Sequence, residues 1–390
     1  MRHGLLAILT AALLACSGAP PAARQHGNPV AATATASSSA RVPAPPASAA
    51  AVPSSSAAAA ADTAPLPAPD AEAPEPKSVL PEIREQATRL VALVKTPEAK
   101  RFLAQAATLP AIAPRMLYHD ASKRHYYTAE EAAALPAETR ATLKARVADE
   151  ELYYYTGYGS PLSYARPLDL AFASGVKLPP GSKVLDFGYG YSGHLRMLAG
   201  MGLEATGIDV HPLLRALYAA PSDQGEVLGA DGAQGHVRLI DGYFPRDLPV
   251  VKAVGSGYRF IISKNVLKKG YIHPDRPADD EQLIRLGEPD DVVLGRFVQA
   301  LEPGGYLLIY NICPALSPPD KPFVPWSDGR SPFTKEQWKA AGFKVLAFDQ
   351  DDVKILRSFA RALEWDKGED PMDLENDLSV LYTLVRRQPK

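Results

Sequence analysis

Between residues 78 and 107 apolar side chains return every three or four positions, and Leu80, Ile83, Ala87, Leu90 and Val94 share one face of a helix. Thr96-Pro97-Glu98 gives a second start, an N-cap followed by proline at the first helical position, where its missing N–H leaves nothing unpaired. Thr128-Ala129-Glu130-Glu131 fits a capping box. A longer helix is expected from about residue 137 to 152, so residues 78–152 read as a helical extension.

Beyond Pro179-Pro180-Gly181 the pattern changes to short unbroken apolar runs bounded by Gly, Asp and Asn, the mark of buried strands. The runs fall at 184–187, 205–210, 237–240, 259–262, 343–348 and 379–385, with a helix end, a Pro-Gly-Gly turn and a strand across 301–310. Helical stretches separate them; one opens with Thr334-x-x-Gln337 and closes at Gly342. This alternation predicts an α/β fold over residues 153–390. It would be a doubly wound, mostly parallel seven-stranded sheet with helices on both faces, its last two strands an antiparallel hairpin.

The first 77 residues have a different character. Met1-Arg2-His3-Gly4 precedes an apolar run at 5–15, too short to span a bilayer, which ends in Leu13-Leu14-Ala15-Cys16. That ending resembles a bacterial lipobox, which implies diacylation of Cys16 and, with Ser17 next, an outer-membrane lipoprotein; the other readings are an ordinary secretory signal or no signal at all, which would leave the chain in the cytoplasm. From 17 to 77 nearly every residue is Ala, Pro or Ser, a composition that cannot offset its ordering entropy and reads as a disordered tether of at most ~180 Å. A net charge of −2 gives no reason to expect a nucleic-acid partner. The two cysteines, Cys16 and Cys313, form no usable pair, and Cys313 reads as a buried thiol.

The candidate chemistry centres on Lys183-Val184-Leu185-Asp186-Phe187-Gly188-Tyr189-Gly190-Tyr191-Ser192-Gly193-His194. A strand runs into Gly188, Gly190 and Gly193, which let the backbone turn tightly and approach a ligand. Asp186 precedes the first glycine by two residues, and a second strand ends in Asp209, 23 residues on. A carboxylate at Asp186 would repel a pyrophosphate but not a cation. Together with the Leu301-Glu302-Pro303-Gly304-Gly305 turn, these features resemble class I S-adenosylmethionine-dependent methyltransferases. The resemblance implies S-adenosyl-L-methionine as a small-molecule donor, held by Asp186, Gly188, Gly190, Gly193, Asp209, Asp241 and Gly242. It leaves the methyl acceptor unidentified.

On the acceptor side, Lys264 and Asn265 could orient a substrate, and His273 has the titration range of a base; alternatively Lys264, Lys268 and Lys269 form a solvated basic corner and His273 is a loop residue. The tyrosine-rich run 153–167 and the aromatic loop 322–333 each read as a site wall or as packing. No metal-ligand spacing is visible. Three functions stand: an enzyme transferring methyl groups, a non-catalytic binding module on the same scaffold displayed at the cell envelope, and an NAD-dependent oxidoreductase using the same glycines.

Overall fold

The computed structural model describes residues 65–69, 78–155, 159–368 and 371–389. The candidate signal, Cys16 and most of the Ala/Pro/Ser segment lie outside these residues.

A small antiparallel sheet comes first, with β1 (Arg115–His119) between β2 (Tyr126–Thr128) and β3 (Lys144–Ala148). It corrects the helical reading of residues 137–152, which divide into the helix Ala137–Arg140, β3 and the helix Glu150–Tyr154. The Ala-, Lys- and Arg-rich β3 has good helix propensity, but its ladder to β1, from Arg115↔Ala148 to His119↔Lys144, pairs the backbone instead. The extension is therefore mixed, with its expected helices at Leu80–Val91 and Pro97–Ala104. Leu66 packs beside Tyr118, Ala132 and Leu143, and Pro69 bridges to Ala145, so the Ala/Pro/Ser segment meets the folded part before residue 77.

The large sheet contains β4 (Lys183–Phe187), β5 (Glu204–Asp209), β6 (Gly225–Leu228), β7 (Gln234–Asp241), β8 (Tyr258–Lys264), β9 (Leu301–Cys313), β10 (Phe343–Asp351) and β11 (Ser379–Arg387). Their order is β10-β11-β9-β8-β4-β5-β7-β6. The run β7-β5-β4-β8-β9 is parallel throughout, and β11 lies antiparallel between β9 and β10. The fold is thus α/β and mostly parallel, with one strand more than the sequence showed. β6 adds to the edge antiparallel to β7, and its four residues are too few to display a period. β10 and β11 are not a tight hairpin, because the helix Val353–Ala362 intervenes.

Alternation along the strands sorts the core onto two faces. Val184, Phe260, Ile262 and Leu308 join Leu168, Leu195 and Leu198 on one face, where Ile83, Leu90 and Phe102 of the extension also pack. Leu185, Ile261, Leu307 and Ile309 meet Leu294, Phe297 and Trp338 on the other. Each such side chain stabilises the fold by roughly 1.5–3 kcal/mol through burial. The chain leaves β4 for β5 on one side and returns to β8 on the other, which puts the switch point, where open α/β sheets take ligands in a crevice, at the carboxyl ends of β4, β5 and β8.

Candidate functional site

The turn after β4 is shaped by glycine. Gly188 and Gly190 have φ of 79° and 61°, in the left-handed region. A Cβ at Gly188 would lie 2.3 Å from Val266 Cγ2, whereas one at Gly190 would meet no described atom within 4 Å. The backbone at Gly190 therefore faces open space. Gly193 is needed for packing, since its Cβ would lie 2.3 Å from the Pro161 ring.

Asp209, at the end of β5, is tied to this turn. Its Oδ2 accepts the Gly190 N–H at 3.0 Å, and its Oδ1 accepts those of Val210 and His211 at 2.8 and 2.9 Å. Burial pushes its carboxyl above the usual range, against the pull of those three bonds. Asp241 ends β7 in register with Asp209, and the Gly242 N–H donates to the Asp209 carbonyl at 2.9 Å.

Asp186 is wholly buried. Its Oδ2 accepts from Tyr164 Oη at 2.7 Å and His194 Nε2 at 2.5 Å, while the two donor rings stack with centroids 3.6 Å apart, 4° from parallel. Its Oδ1 is buried without a hydrogen-bond partner among the described residues. Burial lowers the His194 imidazole below its ordinary value, although its bond to Asp186 opposes the shift. Lys264, at the end of β8, is also buried, with Nζ 5.1 Å from the Tyr164 ring centroid. Burial brings its ammonium down to about 8, although Asp186 nearby opposes the shift.

The structure thus gathers Asp186, Gly188, Gly190, Asp209 and Lys264 into one cluster. Asn265 braces it: at φ 68° its N–H donates to the Tyr310 carbonyl and its Oδ1 accepts the Ile312 N–H at 2.7 Å. His273 belongs elsewhere, half-exposed, with Nε2 2.9 Å from Asp290 Oδ1 at the start of the helix Asp290–Ala300.

The solvated basic corner does not form. Lys264 and Lys268 are both buried, and Lys268 Nζ donates to the carbonyls of Ile312 and Trp326 at 2.7 and 3.2 Å. Lys269 alone of the three reaches outward, to Asp275. In the aromatic loop Trp326, Ser327, Asp328 and Phe333 are buried, and the Pro325 carbonyl closes on Gly270, so this segment packs inward. Of the tyrosine-rich run, Tyr153 and Tyr154 enter the core and Tyr164 covers Asp186, while 156–158 lie outside the described residues. Cys313 is buried, as expected.

Sequence reasoning offered the run 153–167 as a site wall without singling out Tyr164, and it missed His194. His194 was within reach, standing eight residues after Asp186 in the first turn of the helix Gly193–Gly200. Among the described residues no group of three or more His, Cys, Asp and Glu is placed to hold a metal ion, and no helix is long and apolar enough to cross a membrane.

No protein-family model and no curated protein matches the chain. Among solved structures it is similar to the [4+2]-cyclase SpnF, at 17% identity over 58% of this chain and 81% of that one, with a TM-score of 0.35. It is similar to the cyclopropane synthase MmaA2 from Mycobacterium tuberculosis, at 16% identity over 57% and 83%, with a TM-score of 0.35. A third is phosphoethanolamine N-methyltransferase 2 from Haemonchus contortus in complex with S-adenosyl-L-methionine, at 13% identity over 77% and 76%, with a TM-score of 0.34. Function is therefore read from the geometry of this chain.

Proposed function

We propose that the crevice holds S-adenosyl-L-methionine and that the chain transfers its methyl group to an acceptor. The observation that carries this is the meeting of Asp186, the bare Gly190 backbone and Asp209 at the ends of adjacent parallel strands, tied by the Gly190–Asp209 bond. The residues fit the donor. Asp186 Oδ1 is a buried, unpartnered anionic oxygen suited to a cation. The open face of Gly190 leaves room for a ligand against the backbone. A carboxylate offers about four lone-pair sites, and the three N–H bonds to Asp209 leave one, on Oδ2, for a ribose hydroxyl.

The bound donor would supply an electrophilic methyl on a sulfonium. The chain's own residues do the rest. Tyr164 and His194 hold the Asp186 side chain in place through its Oδ2. Lys264, brought down to about 8 by burial, stands at the end of β8, where it can hold or release a proton beside an acceptor. Positioning carries most of an in-line displacement, which suits a site of buried, mutually bonded groups.

The non-catalytic reading also has support. Asp186 Oδ2 and Asp209 Oδ1 each already accept two donors from the chain itself, so the crevice is largely satisfied without a ligand. An NAD site is disfavoured by the Asp186 charge, which opposes a pyrophosphate. Placement at the outer membrane through a lipidated Cys16 belongs to this proposal and is supported by the sequence of residues 1–17 alone. Parallel titrations with S-adenosylmethionine and NAD test the donor: binding of the first and not the second supports the reading, and the reverse overturns it. Release of S-adenosylhomocysteine on turnover then separates enzyme from binding module.

A further inference from the structure

A second set of residues reaches Asp209 from the small sheet. Tyr126 of β2 is 4% exposed, and its ring lies 6.5 Å from that of His211. His211 donates its N–H to Asp209 Oδ1 at 2.9 Å, and its Nδ1 accepts the Leu213 N–H at the start of the helix Pro212–Leu217. On that helix Arg215 donates to Glu131 at 2.5 and 3.2 Å and to the Tyr126 carbonyl at 2.6 Å. Arg115 of β1 takes the far end, donating to the Leu217 carbonyl at 2.6 Å and to both oxygens of Asp223.

The helix that begins just past Asp209 is therefore gripped at both ends by the N-terminal extension. Two of the three hydrogen bonds that aim the Asp209 carboxylate come from Val210 and His211, and the start of this helix fixes where those N–H groups lie. The Tyr126 phenol faces Arg146 of β3, whose charge also acts on His211. All three strands of the small sheet thus contribute to one joint.

We infer that the N-terminal sheet positions the ribose-binding carboxylate: Tyr126 and Glu131 set the aim of Asp209 through His211 and Arg215. The inference rests on the reading of the crevice as a donor site, and it makes the extension part of that site. Tyr126 and Glu131 are positioning residues, since they act only through their neighbours.

Hydrogen–deuterium exchange on the full chain, with and without S-adenosylhomocysteine, tests this. Tyr126→Ala speeds exchange of the Gly190, Val210 and His211 amides by roughly tenfold, as local opening becomes easier, and leaves β8 and β9 at wild-type rates. Tyr126→Phe keeps the ring on His211 but loses the phenol facing Arg146, so its increase is smaller than that of Tyr126→Ala. Glu131→Gln removes the charge and one of the two acceptor oxygens facing Arg215, keeps the other for the Thr128 N–H, and gives a smaller increase at the same three amides. S-adenosylhomocysteine affinity falls roughly tenfold in Tyr126→Ala, and adding Tyr126→Ala to Asp209→Asn brings no further loss, because coupled residues are not additive. Unchanged exchange at the three amides in folded Tyr126→Ala and Glu131→Gln, or additive losses of affinity, overturns the inference. A wild-type chain that binds no S-adenosylhomocysteine overturns the donor-site reading instead, and the exchange rates then decide the positioning role alone.

Discussion

His194 and Asp186 meet at 2.5 Å between Nε2 and Oδ2, with 2% and 0% of their side chains exposed. A carboxyl group this deep needs its donors held in place, and the stacking of the Tyr164 and His194 rings holds both. Below its ordinary value of 6.5 the unfolded His194 takes a proton that the folded one resists.

The same sign holds for His211, which burial brings down from 6.5 to about 4. The unfolded chain binds more protons in this window, so stability rises with pH there. The contribution is fully present above 6.5 and is lost as pH falls toward 4. Urea midpoints measured across this window should fall with acidification, and His211→Gln should flatten the slope.

Asn265 holds a left-handed backbone and caps the Ile312 N–H. Asn265→Gly keeps the conformation and loses the cap. Asn265→Ala loses both, adding about 1–2 kcal/mol of backbone strain to the about 1–3 kcal/mol of an unpaired buried N–H. Thermal unfolding should rank the three Asn, then Gly, then Ala. Equal midpoints for Gly and Ala would remove the strain argument.

Lys268 is a buried cation serving two carbonyls rather than a surface charge. Lys268→Met leaves the Ile312 and Trp326 oxygens short of a donor and should destabilise by about 1–3 kcal/mol. Denaturant unfolding measures this, and proteolysis within 314–333 should quicken. A neutral result would contradict the two carbonyl bonds.

Arg166 and Asp352 form a buried bidentate pair at 2.5 and 2.7 Å, and Tyr310 adds a 2.8 Å bond to the same carboxylate. Asp352→Ala leaves the guanidinium only its longer ion pair to Asp169, at 3.5 Å, and should destabilise by about 3–5 kcal/mol. A double change with Arg166→Met should recover part of that loss, read from urea midpoints.

Much of the fold was legible because its signals are local. The strand, its glycines and Asp209 stand within 27 residues of one another, from Lys183 to Asp209. The Thr96 cap and the Thr334 capping box form as read, since each is a bond between residues three apart. What escaped depends on distant partners. β3 looks helical until β1 supplies a ladder, and Lys268 looks solvated until carbonyls 44 and 58 residues away turn toward it. Asp186 was found, but nothing in the tyrosine-rich run 153–167 told which of its phenols would meet that carboxyl group, and it is Tyr164. His273 carried the right chemistry and landed on Asp290.

The most direct measurement is calorimetric titration of the chain with S-adenosylmethionine and S-adenosylhomocysteine, with Asp209→Ala alongside. Micromolar binding by the wild type, corresponding to roughly 8 kcal/mol, and its loss in a folded Asp209→Ala variant is the predicted result. A folded wild type that binds neither ligand, or an Asp209→Ala variant that binds as well as the wild type, contradicts the donor site.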